Sequence, residues 1–249
     1  MIYAVICEKG GTGKTTTSEA LGDGLRERGR SVLTIDADPQ GNMTAAMNGD
    51  RTLTLYDVFT GYATAGEAIQ TTHRGDLIAA SRFLSDPKGE IRAKGFSALR
   101  SALQPIRGRY DYIVLDCPPS LGMLTVNALT AADAVIVPVT ADAFSLSALA
   151  AVHSTIQAAK AENPGLTIRG ILLTRFNART IVNREIAAMI ENVAAMKMDT
   201  TVFRTRIREC SAIRTAQANR QSIFRYAPRS NAAADYRAFL DELTGEDSR

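Results

Sequence analysis

The chain has 249 residues, 45% hydrophobic and 22% charged, and its 29 Lys+Arg against 26 Asp+Glu leave a formal charge of only +3. That composition excludes disorder as the main theme and gives a length sufficient for one large α/β domain or two small ones with a substantial core. Three scattered cysteines without a CxxC pair, Cys7, Cys117 and Cys210, and two isolated histidines, His73 and His153, argue against a disulfide framework, a zinc ribbon and a histidine metal site.

Residues 2–7 are apolar but have neither a basic leader nor a cleavage site, and Glu8-Lys9 cuts the run off, so they read as a strand and not a signal peptide. Next comes Lys9-Gly10-Gly11-Thr12-Gly13-Lys14-Thr15-Thr16, followed by a helix-compatible stretch to Arg28-Gly29. Three glycines let backbone N–H groups curl around phosphate oxygens, and the helix N-terminus adds its positive dipole end. Lys14 then reaches the β- and γ-phosphates, and the Thr15 hydroxyl ligates Mg²⁺. The general pattern G-x-x-x-x-G-K-[ST] is matched incompletely, because its first Gly falls at Glu8, while a second lysine, Lys9, stands inside the loop. A Gly-rich turn with no ligand is the plain alternative, but a chance match is on the order of one in a thousand.

Further β-branched runs at 31–36, 77–80, 110–116, 134–139 and 168–174 alternate with helical stretches, which implies right-handed crossovers and a doubly wound sheet. Residues 112–115 and 135–137 are nearly continuous apolar runs, as strands covered on both faces should be. The less periodic region 49–108 holds short helices near 53–59 and 95–103. The second strand ends in Asp36-Ala37-Asp38-Pro39-Gln40-Gly41-Asn42 and the fourth in Asp116-Cys117-Pro118-Pro119-Ser120, placing carboxylates at the sheet edge where α/β folds bind ligands. Asp116 is the expected Mg²⁺ carboxylate. The apolar tract 131–152 is broken by Asp133, Pro138 and Asp142 and cannot cross a bilayer as a clean span. After residue 200, alternation in 202–207 reads as a strand with Arg204 and Arg206 on one face, followed by helices near 209–219 and 232–243. No repeat or linker divides residues 1–249, so one domain is the economical reading.

The small net charge hides an asymmetry. Residues 167–230 hold twelve basic and four acidic side chains, a local +8 that leaves −5 for the rest, and residues 201–230 alone hold seven Arg and one Glu.

These motifs resemble a known family. Lys9-Gly10-Gly11-Thr12-Gly13-Lys14-Thr15-Thr16 is similar to the deviant Walker A box of ParA/MinD ATPases, Asp36-Ala37-Asp38-Pro39-Gln40-Gly41-Asn42 to the Walker A′ box of the ParA branch, and Asp116-Cys117-Pro118-Pro119-Ser120 to Walker B. Weaker similarity runs through Ile171–Arg175 and Val202–Thr205 to Tyr226–Ser230. The resemblance implies a three-layer P-loop NTPase fold, a mostly parallel twisted sheet with helices on both faces, in a short form without an N-terminal helix-turn-helix. It implies ATP and Mg²⁺ as cofactors and slow hydrolysis without a partner. On this chain Lys9 becomes the lysine that crosses an ATP-sandwich homodimer to the partner's phosphates, Asp38 orients the attacking water, Asp36 and Asp116 organise Mg²⁺ through waters, and Thr16 binds the α-phosphate. Where relatives carry Glu-Ala-Pro-Ser this chain has Thr215-Ala216-Gln217-Ala218, so Thr174 and Arg175 remain as base-contact candidates. Glu8 before the lysine is unusual and is read as a solvated carboxylate in preference to an ion-pair partner of Lys9.

The basic segment separates the possible partners. Arg204, Arg206, Arg208, Arg214 and Arg220 are expected to contact DNA phosphates without reading bases. The acidic end, Phe239 to Arg249, argues against a membrane-binding helix. The expectation is a cytoplasmic, nucleoid-associated, DNA-partitioning ATPase that binds non-specific double-stranded DNA and a ParB-like adaptor. Alternatives are a positioning ATPase for a protein cargo and a metabolic ATP-dependent enzyme of the same fold.

Overall fold

The computed structural model describes residues 1–86 and 88–245; part of the acidic end, residues 246–249, lies outside them. The elements run β1 (Ile2–Val5), α1 (Lys14–Glu27), β2 (Val32–Asp36), α2 (Asn42–Ala46), α3 (Leu55–Thr60), β3 (Gln70–Thr72), β4 (Gly75–Ile78), α4 (Glu90–Lys94) and α5 (Ala98–Leu103). They continue with β5 (Tyr112–Asp116), α6 (Met123–Ala131), β6 (Ala134–Thr140), α7 (Ser145–Ala159), β7 (Thr167–Thr174), α8 (Ile181–Lys197), α9 (Ser211–Ala218), α10 (Ile223–Tyr226) and α11 (Asn231–Thr244).

One sheet of seven strands, in the order β3-β4-β2-β5-β1-β6-β7, gathers them. All its pairings are parallel except β3 with β4. Period-two alternation along the strands sends side chains to two separate cores. Ile2, Ala4, Leu33, Ile35, Ile113 and Leu115 meet the apolar faces of α3 to α8, whereas Tyr3, Val5, Val32, Val114 and Ile136 meet α1, α9, α10 and α11. Helices on both faces explain why the inner strands read as uninterrupted apolar runs. The three-layer arrangement expected from the sequence is therefore present.

This topology decides where a ligand goes. From β1 the chain crosses to β2 on one side, and from β5 it crosses over β1 to β6 on the other, so the connections part at β1. Val5, Asp36 and Asp116 are paired neighbours at one edge, with Thr140 opposite Thr174 farther along it.

Two local expectations need correction. The expected strand at 77–80 is β4, displaced to Gly75–Ile78 and joined to an antiparallel β3 that the polar Gln70-Thr71-Thr72 gave no apolar pattern to reveal. Residues 202–207 do not form a regular strand; only isolated bridges, Ile171 with Val202 and Phe176 with Arg208, tie this segment to the β7 side. The physical reason is competition for the backbone: the N–H groups of Arg204 and Thr205 donate to the Glu242 carboxylate (2.7 and 2.9 Å), and that of Arg208 donates to Asp235 (2.9 Å).

Candidate functional site: a phosphate loop and its carboxylates

The loop between β1 and α1 is shaped by its glycines. Gly11 and Gly13 have φ of +75° and +82°, a region other residues adopt at a cost, and a Cβ built on Gly10 or Gly11 would meet nothing within 4 Å, so the loop opens onto free space. Gly13 is the N-cap of α1 and offers no side chain to the first-turn N–H groups. Those groups, which have no intrahelical acceptors, form an anion-binding end. Lys14, 7% exposed, donates through Nζ to the Lys9 carbonyl at 2.9 Å, which curls the loop around its own lysine. Thr174 donates to the Thr12 carbonyl (2.8 Å) and fastens the loop to the end of β7.

Two strand-end aspartates are fully buried, and Asp38 is 7% exposed. Asp36 accepts from the backbone N–H and hydroxyl of Thr44, both at 2.7 Å, and from the Asp38 N–H at 3.2 Å. Its carboxylate thus shapes the loop that carries Asp38. Asp116 accepts from the Ser18 hydroxyl at 2.9 Å through Oδ1, while its Oδ2 is buried without a hydrogen-bond partner. Burial, followed by the adjacent Asp36 carboxylate, pushes Asp116 well above the usual range. Burial also raises Asp36, offset in part by the Thr44 hydrogen bonds. An unpaired buried carboxylate oxygen beside the Lys14-Thr15 start of α1 suits a hydrated divalent cation, which would meet the unmet acceptor and favour the charged carboxylate.

A cavity of about 670 Å³ opens over this edge. Of the expected site residues it brings together Gly10, Gly11, Gly13, Lys14, Thr15, Thr16, Asp38, Thr174 and Arg175, and Arg208, Arg214 and Arg220 stand on the same wall. Arg175 pairs with Glu209 at 3.0 Å. Lys9 does not pair with Glu8, which is exposed; its Nζ lies 2.5 Å from Asp142 and 5.6 Å from the centre of the Phe144 ring. Despite partial burial, the hydrogen bonds from Lys9 and Thr140 hold the Asp142 carboxyl down at about 2.

The five arginines divide. Arg208 grips Asp235 through Nε and a second guanidinium nitrogen (3.0 and 2.6 Å), and Arg206 pairs with Glu191 at 2.8 Å and lies over Phe176. Arg220 bonds Asn48 at 2.6 Å. Arg204 and Arg214 are exposed, Arg204 standing 3.8 Å from Glu242. Arg204 and Arg206 therefore face different helices, α11 and α8, and not one shared face. Sequence reasoning missed Glu19, Gln217 and Asp142. Glu19 carries a weak signal, one turn after the loop; the other two reach the site only through tertiary contact.

A glycine loop after the first strand, a lysine-threonine helix start and buried carboxylates on neighbouring strand ends define a P-loop nucleotide-binding protein. A family model described as AAA domain matches residues 1–168. The chromosome partitioning protein ParA of Caulobacter vibrioides is 43% identical over 196 residues, 75% of this chain and 73% of that protein. The sporulation initiation inhibitor protein Soj of Bacillus subtilis is 35% identical over 250 residues, 97% of each. Among solved structures, cobyrinic acid a,c-diamide synthase from Mycobacterium smegmatis with a bound ATP analogue and magnesium superposes with a TM-score of 0.83 at 31% identity, covering 98% of this chain and 93% of that one. The chain belongs to the ParA/MinD family of P-loop ATPases.

Proposed function

We propose that this chain is a ParA-type DNA-partitioning ATPase, a single domain that pairs as an ATP sandwich, binds DNA without sequence preference and is released when a ParB-like adaptor stimulates hydrolysis. The observation that carries the reading is the coexistence, on one cavity, of the Lys14 phosphate loop and an arginine-bearing wall. The C. vibrioides and B. subtilis relatives support it. In this reading the site works in the cytoplasm on the nucleoid, and among the described residues no helix is long and apolar enough to cross a membrane.

Each site residue then has a role in this reading. Residues 9–16 wrap the phosphates with backbone N–H groups, Lys14 neutralises charge at the β- and γ-phosphates, and Thr16 holds the α-phosphate. Thr15, Asp116 and, behind it, Asp36 hold the Mg²⁺ shell; the ion supplies charge neutralisation of the transferring phosphoryl group. Asp38, fixed by its own loop N–H contacts, orients the attacking water. Lys9 leaves Asp142 to reach the second subunit's phosphates. Thr174 and Arg175 border the base, and Arg204, Arg206, Arg208, Arg214 and Arg220 form the DNA-facing set.

The M. smegmatis structure motivates a second reading, a metabolic ATP-dependent enzyme. Sedimentation of Asp38→Ala with Mg²⁺ and ATP, with and without a random-sequence duplex, separates the two. The partition reading expects a monomer that becomes a dimer on ATP and then joins the duplex; a monomer under every condition contradicts it.

A further inference from the structure

α9 is thinly held. It has eight residues, of which only Ala216 is fully buried, with Ala212 and Ile213 partly buried against the same core, and a helix of that length does not stand alone in water. Its placement therefore depends on contacts with the rest of the chain, and the polar one is Gln217. The Gln217 side-chain amide lies 3.2 Å from the Thr16 hydroxyl and 3.3 Å from the Glu19 carboxylate, donating to two acceptors one turn apart on α1. Both distances sit at the long end of the hydrogen-bond range, so the contact has room to tighten.

The surroundings join this contact to both halves of the site. Arg214 and Arg220 stand three residues to either side of Gln217. Arg220 bonds Asn48, just beyond α2, and its carbonyl meets His73 Nε2 at 3.0 Å. Glu19 accepts from Arg74 at 3.1 Å, and Arg74 also donates to the Ala46 carbonyl at the end of α2. Gln217 is thus the polar contact between the arginine-bearing helix and the start of the phosphate-loop helix, beside the apolar packing of Ile213 and Ala216.

A hydroxyl has one proton and two lone pairs. Because the amide nitrogen of Gln217 can only donate, its bond leaves the Thr16 proton free for a phosphate oxygen. A phosphate oxygen that accepts a hydrogen bond from this hydroxyl polarises the hydroxyl oxygen and makes it a better acceptor, so the two bonds reinforce each other. We propose that Gln217 is the positioning residue through which an occupied phosphate loop fastens α9, with Arg214 and Arg220, against α1. The inference rests on the ATP- and DNA-binding reading above and supplies its route from nucleotide to arginines.

Hydrogen exchange on the full chain, with and without Mg²⁺ and a non-hydrolysable ATP analogue, tests it. In the wild type the amides of residues 9–16 slow on adding the analogue, and those of α9 slow with them by about fivefold, the value of one ordinary hydrogen bond. Gln217→Met removes the donor at equal length and Gln217→Asn shortens it by a methylene. Both keep the loop response and lose the α9 response, and both lose about the same factor in the analogue-dependent gain of affinity for a random-sequence duplex. Equal slowing of α9 in wild type and both variants overturns the inference alone. A wild-type loop that does not respond to the analogue overturns the nucleotide reading and the inference with it.

Discussion

Lys9 and Lys14 are both lysines of one loop, but the fold treats them differently. Lys14 is buried against the Lys9 carbonyl, whereas Lys9 is half-buried and turned outward to Asp142. Lys14→Ala should weaken ATP analogue binding at least about tenfold, the loss of a charged hydrogen bond, measured by fluorescence titration. Lys9→Ala should retain most of that affinity and lose the ATP-induced dimer. Glu19 gives a pH prediction. Burial, opposed in part by Arg74, pushes its carboxyl up to about 7. A raised folded value means that its contribution to stability is present below the ordinary carboxylate range and lost as pH rises through about 7. Wild-type stability to urea should therefore fall between pH 5 and pH 8 more than that of Glu19→Gln, by on the order of 2 kcal/mol; parallel profiles would refute it. At this scale the meeting of Lys14, Asp38 and Asp116 at one sheet edge was legible because each is marked by the local spacing around it. Gln217 and Asp142 were not, because they lie 201 and 133 residues from Thr16 and Lys9, and nothing local marks them.

Helices and strands show the same split between local and tertiary causes. Gly24 in α1 looks like a helix weakness that Ala would repair, by propensity worth about 1 kcal/mol. A Cβ there would stand 2.2 Å from the buried Leu240 side chain of α11, and Phe224 closes the other side. Overpacking of this kind costs about 1–3 kcal/mol, so Gly24→Ala should destabilise the protein, read as a lower urea midpoint. The turn joining β3 and β4 is anchored by Arg74, whose buried guanidinium meets both Glu19 (3.1 Å) and Asp23 (2.5 Å). Arg74→Met leaves buried Glu19 without a cation and Asp23 with only Arg26, at 3.4 Å, and should cost about 3 kcal/mol by the same measurement. The inner strands were legible from their apolar runs. Residues 202–207 misled because alternation was the only signal available, while Glu242, far along the chain, claims the N–H groups of Arg204 and Thr205 in the middle of the segment. The β3–β4 hairpin was hidden for the opposite reason, being polar and at the sheet edge.

Across the whole molecule, the charge sum of +3 resolves into a basic C-terminal region and an acidic remainder, and the fold places part of that region on the nucleotide cavity wall. Folding also reduces the free positive charge there: Arg206 and Arg208 are drawn into close pairs with Glu191 and Asp235 and Arg204 stands 3.8 Å from Glu242, while Arg214, Arg225 and Arg229 are exposed. The sequence count alone cannot distinguish these sets, since pairing depends on helices far away in the chain. In the proposed reading, two such surfaces joined in an ATP-built dimer would bind DNA more tightly than one through effective concentration. The direct measurement is affinity for a random-sequence duplex between about 50 and about 200 mM salt, with Mg²⁺ and a non-hydrolysable ATP analogue or with ADP. Strong binding is expected only with the analogue, log affinity should fall linearly with log salt, and Arg204→Ala with Arg214→Ala should flatten that slope by about 2 units per protomer. Equal affinity with ADP and the analogue, or a slope unchanged by the paired substitution, would contradict the assignment of this surface to ATP-dependent DNA binding.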